Sequence, residues 1–125
     1  MISLVLPWPP STNGYWMPLV LKGGKPSLIL TSRARDYRQS VLCAIRNKMG
    51  PALDPITGPV RIDVSLRPPD RRTRDIDNNL KGLFDALTYC RVWKDDSQVD
   101  EMTVRRGKVI SGGHVEVLVS ELEPV

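Results

Sequence analysis

The stretch Arg74-Asp75-Ile76-Asp77-Asn78-Asn79-Leu80-Lys81 sets two carboxylates two residues apart and an amine four residues after the second. A second acidic pair, Asp95-Asp96, follows downstream. Clustered oxygen donors suit a hard divalent cation, and the run Arg71-Arg72-Thr73-Arg74 just before them suits a phosphate polymer. Mg²⁺ takes octahedral oxygen ligands, usually one or two carboxylates with waters and substrate phosphate. Asp75, Asp77 and one of Asp95 or Asp96 can supply these. Such a cation polarises a phosphoryl oxygen and lowers the pKa of a bound water. Lys81, one turn along from Asp77, can neutralise charge on the attacked phosphate. The same spacing admits a plainer reading. Asp77 is then only a helix cap, paired with Lys81, and Asp95-Asp96-Ser97 only a turn or another cap. The arginine run weighs for chemistry, because acids used only as caps need no cationic loop beside them.

Other chemistries find little support. His114 is the single histidine and falls in an expected strand, which argues against a Ser-His-Asp triad. Lys22-Gly23-Gly24-Lys25 lacks the phosphate-loop pattern. Trp8, Tyr15 and Trp16 sit in a proline-rich loop, suited either to stacking on bases or to packing over the core edge. Trp93 reads as a core or interface residue. The two cysteines, Cys43 and Cys90, lie in apolar helical patterns, which fits reduced thiols in the cytoplasm better than a disulfide or zinc framework. Met1–Leu6 lacks the basic n-region of a signal peptide and is ended early by Pro7, and no apolar run approaches a membrane span. The net charge of +4 tilts weakly towards an anionic partner.

These residues need a scaffold, and 125 residues predict a single domain, 1–125. Ile2–Leu6 predicts a strand, ended by the prolines of the loop from Pro7 to Gly14, and Pro18 breaks the chain again. Leu19–Leu21 and Ser27–Leu30 predict a hairpin around Lys22-Gly23-Gly24-Lys25-Pro26. Thr31 or Ser32 caps a helix carrying Tyr37, Val41, Ala44, Ile45 and Met49, stopped by Gly50-Pro51. Its Arg33, Arg35 and Arg38 either form a solvated face or touch nucleic-acid backbone. Val60, Ile62, Val64 and Leu66 alternate with polar residues in a half-buried strand. Leu80, Leu83, Phe84 and Leu87 predict a helix from about Asp77 to about Cys90, with Asp77 near its cap. Val99–Arg106 and His114–Ser120 predict two last strands, with Ser111-Gly112-Gly113 in the turn between them. The expected class is α+β, a small mixed β-sheet with two main helices.

Several stretches, taken in order, resemble the RusA-type crossover junction endodeoxyribonucleases. They are Leu6-Pro7-Trp8-Pro9-Pro10-Ser11-x-Asn13, Pro69-Asp70-Arg71-Arg72, Arg74-Asp75-x-Asp77-Asn78-x-x-Lys81, Phe84-Asp85-Ala86-Leu87-Thr88 and Trp93-x-Asp95-Asp96-x-Gln98-Val99. The resemblance runs from about residue 4 to about 120. At the helix end Arg91-Val92 stands where a Gly-Phe-like turn is expected. The resemblance implies a Holliday junction resolvase of bacterial or phage origin, working as a homodimer on branched DNA in recombination and repair. It needs Mg²⁺, with Mn²⁺ a possible substitute, and no small-molecule cofactor. It implies metal-binding acids at Asp75, Asp77 and Asp96, with Asp95 adjacent, an essential lysine at Lys81, and 5′-phosphate products. Arg67, Arg71, Arg72 and Arg74, with Arg33, Arg35 and Arg38, are the expected backbone contacts. The alternatives are a non-catalytic, structure-selective DNA-binding protein and a nuclease directed to flaps or forks.

Overall fold

A computed structural model describes residues 1–20, 23–51 and 53–123. Strands β1 (Ile2–Pro7), β4 (Val60–Arg67), β5 (Val99–Arg106) and β6 (His114–Glu121) form one mixed sheet in the order β1-β6-β4-β5. Strands β2 (Trp16–Val20) and β3 (Pro26–Leu30) form a separate antiparallel ribbon. Helices α1 (Ser32–Met49) and α2 (Leu80–Tyr89) complete the α+β fold.

The alternation in β4 buries Val60, Ile62, Val64 and Leu66, which join Val115, Val117 and Val119 of β6 and Leu4 and Leu6 of β1. Burying each of these aliphatic side chains contributes roughly 1.5–3 kcal/mol. Helix α1 adds Tyr37, Val41 and Ile45, and α2 adds Leu83, Ala86 and Leu87, to the same core. Thr31 caps α1 by accepting a bond from the Ala34 amide (3.2 Å), and Gly50 ends it at φ 90°. Tyr15 and Trp93 are core residues, both fully buried, while Trp8 and Trp16 pack at its edge.

Three expectations are corrected. The last two strands are not neighbours. Strand β4 lies between β5, to which it is parallel, and β6, to which it is antiparallel. The connection after β5 instead crosses the end of β4, with the Gly107 amide donating to Leu66 O (2.7 Å) and the Ile110 amide to Pro68 O (2.9 Å). Pro18 does not interrupt the hairpin but lies inside β2, opposite Leu28. A two-stranded ribbon leaves each strand one free edge, where a missing amide costs nothing. Leu21 and Lys22 of that expected hairpin lie outside the described residues. The third correction, at the start of α2, belongs to the site.

The end of α2 explains the departure at Arg91. The Arg91 amide donates to Thr88 O (3.1 Å) and the Val92 amide to Leu87 O (3.1 Å). This pattern requires a left-handed residue after the cap, usually glycine. Arg91 takes that role at φ 64°. Arg91→Gly should therefore raise stability by about 0.5–1 kcal/mol, read as a higher urea midpoint at unchanged slope.

Candidate active site

The prolines after β4 release the chain into a loop, Asp70 to Asp75, without regular structure. Two successive turns follow, with the Asn78 amide donating to Asp75 O (3.2 Å) and the Leu80 amide to Asp77 O (3.2 Å). Helix α2 begins only at Leu80, and Asn79 rather than Asp77 holds the cap position. The cause is a distant clamp. The Thr12 amide and hydroxyl both donate to Asn78 O at 2.8 Å, taking the carbonyl that a longer helix would use. The buried Asn79 amide side chain donates to Pro9 O (2.7 Å). Close packing here depends on Gly82, where a Cβ would stand 2.9 Å from the Tyr15 ring.

The acids divide into engaged and free. Asp95 caps the single 3₁₀ turn Asp96–Gln98 by accepting a bond from the Ser97 amide (3.1 Å). The Gln98 side chain closes the box by accepting from the Asp95 amide (2.9 Å). Bonds from Ser97 hold the Asp95 carboxyl below its ordinary range. The plainer reading thus holds for Asp95. Asp70 is pulled down to about 2, chiefly by the guanidinium of Arg74, Nη1 to Oδ1 2.7 Å. Asp85 accepts two bonds from Arg38 (2.8 and 2.9 Å) and one from the Tyr15 hydroxyl. Burial, aided by Asp85, pushes the Tyr15 phenol up. By contrast Asp75, Asp77 and Asp96 are exposed and have no side-chain hydrogen bond or ion pair among the described residues. The Asp77–Lys81 ion pair of the plainer reading is not formed. Lys81 Nζ lies instead 5.9 Å from the centre of the Trp16 ring.

Lys81 and Asp96 line one cleft of about 180 Å³ with Trp16, Asp85, Thr88 and Asp95. Asp75 lines another, of about 290 Å³, with Trp8, Arg71, Arg72, Arg74 and Arg106. Asp77 lines neither. Among the described residues, no three Asp, Glu, His or Cys side chains gather into a group able to hold a metal ion. The donors fit a hard cation in kind, being unpartnered carboxylates, but a single chain does not bring them together.

The expected phosphate contacts also divide. A groove of about 570 Å³ joins Arg33 to Arg72 and Arg74 beside Trp8. It shares Trp8, Arg72, Arg74 and Asn79 with the cleft of Asp75, so cations run continuously past the acidic loop. Arg71 and Arg72 are exposed, and Arg74 lies 5.8 Å from the Trp8 ring centre. The structure does not bring Arg35, Arg38 or Arg67 into these grooves. Arg35 donates to Leu30 O (2.8 Å) and Arg67 to Lys108 O (2.8 Å), while Arg38 is held by Asp85 and lies over Tyr89. Sequence reasoning missed Arg106, which lines the groove and donates to Arg74 O (2.6 Å). It also missed Asp85, although Phe84-Asp85 stood inside a recognised stretch. His114 Nε2 lies 3.4 Å from Glu116, as a strand residue would. Burial pushes the Cys90 thiol up to about 11, so it is no nucleophile near neutrality. No helix described here is long and apolar enough to cross a membrane.

A family model described as Endodeoxyribonuclease RusA matches residues 7–120. The chain is 37% identical over 121 residues to the crossover junction endodeoxyribonuclease RusA of Shigella sonnei, covering 96% of this chain and 94% of that protein. The same figures hold for the protein of that name from Escherichia coli K12. The crossover junction endodeoxyribonuclease of Enterobacteria phage HK97 is 38% identical over 124 residues, covering 98% and 97%.

Proposed function

The chain belongs to the RusA endodeoxyribonuclease family, and from that premise we propose a Mg²⁺-dependent endonuclease that resolves four-way DNA junctions as a homodimer. The observation that carries the reading is the contrast among the acids. Asp70, Asp85 and Asp95 are engaged by the fold, whereas Asp75, Asp77 and Asp96 have no side-chain partner among the described residues, Asp75 in the arginine-lined groove and Asp96 in the cleft of Lys81. Unpaired carboxylates next to a phosphate path repel substrate unless a cation intervenes, so structure alone gives them no purpose.

Asp75, Asp77 and Asp96 would hold the ion. When bound, Mg²⁺ supplies Lewis acidity and a water of lowered pKa, and Mn²⁺ offers similar oxygen-ligand chemistry. The protein's own part is electrostatic and positional. Arg71, Arg72 and Arg74, with Arg33 and Arg106, hold backbone phosphates along the groove, so shape is read more than sequence. Trp8 orients the Arg74 guanidinium from its face. Lys81 sets a positive charge where the phosphorane becomes most negative. Hydrolysis then leaves a 5′-phosphate and a 3′-hydroxyl. A four-way junction is close to two-fold symmetric, and a two-fold dimer offers equal sites to opposed strands. The region 1–125 acts as one domain.

The decisive assay is cleavage of a labelled mobile four-way junction beside linear duplex, flap and fork, across a Mg²⁺ titration. The expected result is paired nicking of the junction only with metal. Binding without nicking at any Mg²⁺ or Mn²⁺ concentration would make it a non-catalytic DNA-binding protein. Preferential cutting of flaps or forks would make it a nuclease of another substrate class.

A further inference from the structure

Lys81 is an amine set among carboxylates, and it can act on a phosphate only if none of them holds it. In a continuous helix two acids would compete for it, Asp77 one turn before and Asp85 one turn after, because side chains four apart are neighbours on one face. The first is withdrawn by the backbone. Helix α2 starts only at Leu80, so Asp77 stands outside the register that would pair it with Lys81. The second stays in register. Lys81, Asp85 and Tyr89 follow one another along α2, and Lys81 and Asp85 line the same cleft. Yet Lys81 makes no side-chain hydrogen bond or ion pair among the described residues.

Both oxygens of Asp85 are taken by other donors. Arg38 of α1 donates from Nε to Oδ2 (2.8 Å) and from Nη2 to Oδ1 (2.9 Å), a two-pronged, charge-assisted pair. The Tyr15 hydroxyl adds a third bond at Oδ2. Each donor is itself fixed. The Arg38 guanidinium lies 4.7 Å from the centre of the Tyr89 ring, one turn on from Asp85. The Tyr15 ring is fully buried and packs against Gly82, where a Cβ would stand 2.9 Å from it. The side chains of Arg38 and Asp85 are only 22% and 24% exposed, so their pair is screened less than one at the open surface.

We infer that Arg38 and Tyr15 are positioning residues for the cleavage reaction: by occupying the Asp85 carboxylate they keep Lys81 unpaired and available to the phosphate. Neither touches the reacting atoms. Arg38 thereby gains a purpose other than the phosphate contact expected of it. The inference rests on the nuclease reading and on the part Lys81 plays in it.

The test is a rescue. Arg38→Met keeps a stem over Tyr89 and removes both guanidinium bonds, leaving a half-buried carboxylate four residues from Lys81. Single-turnover cleavage of a four-way junction, at saturating enzyme in Mg²⁺, should slow by about tenfold as a charge-assisted bond captures the amine. Adding Asp85→Asn removes the competitor, and the double variant should cleave at least about fivefold faster than Arg38→Met. If Arg38 only ties α1 to α2, or only holds DNA, the second change brings no recovery. A double variant as slow as the single one overturns the inference, as does Arg38→Met cleaving at the wild-type rate. A second readout needs neither DNA nor metal. Trace acylation of amines, located by mass spectrometry, should find Lys81 less reactive in Arg38→Met than in the wild type and restored in the double variant, because a paired amine is held protonated. Lys81 reactivity that is the same in all three overturns the inference. Where Arg38→Met does not melt as a folded protein, Tyr15→Phe carries the comparison, since it keeps the ring against Gly82 and loses only the hydroxyl. Its cleavage should slow by about threefold and recover with Asp85→Asn, and no recovery overturns the inference. A wild type that cuts no junction overturns the nuclease reading instead, and the acylation still decides whether Arg38 keeps Lys81 free.

Discussion

Asp75→Asn is expected to bind four-way junctions at least as well as the wild type while cleaving them at least about a hundredfold more slowly. The Asp75 side chain has no protein partner among the described residues and is exposed, so the amide disturbs no fold contact. Stability should change by less than about 0.5 kcal/mol. What changes is charge. Loss of one carboxylate weakens the hold on a cation and removes a repulsion from DNA phosphate, so affinity holds or rises as turnover collapses. Asp77→Asn should behave alike. A band-shift titration without metal, paired with single-turnover cleavage in Mg²⁺, separates the two effects. Cleavage by Asp75→Asn at the wild-type rate would remove this residue from the active site.

The second large effect is expected at Lys81. Lys81→Ala should lower the cleavage rate by roughly a hundredfold to a thousandfold with little change in affinity, because a charge aimed at the transition state acts on rate and not on ground-state binding. The alternative assigns Lys81 to packing against the Trp16 ring, 5.9 Å away. An exposed contact of that kind is worth about 0.5–1 kcal/mol of stability and no rate. Single-turnover rates and thermal melts on the same variant decide between them. A mild rate loss with a lowered melting temperature would make Lys81 a surface contact only.

How much was legible depended on how far apart the causes lie in the sequence. Helix α1 could be read from cap to cap, because Thr31, the apolar period and Gly50 are all local signals. The face of β4 was as plain, since alternation needs no partner to be seen. The start of α2 was not, because the groups that hold it back, Pro9 and Thr12, sit some seventy residues earlier. The order of the sheet was hidden for a like reason. Nothing local in β5 or β6 says that β4 will come between them.

At the candidate site, residue type pointed to Asp75, Asp77, Lys81 and one of Asp95 or Asp96, and did not show which acids the fold engages. Asp95 carried a readable clue, for an aspartate three residues before Gln98 is a capping-box pattern. Arg38 and Asp85 carried none, since each is defined by the other across forty-seven residues. Arg106 looked like one more strand charge until the fold set it against the Arg74 carbonyl.

The clamp from Pro9 and Thr12 has a consequence for where the enzyme is vulnerable. The acidic turn borrows its shape from Pro9 and Thr12, which leave the ribosome before it and wait for it to arrive. A cut in the loop between β1 and Thr12 would leave Asp75 and Asp77 chemically intact but their turn unmoored, and a nuclease nicked there would be harmless to the DNA around it.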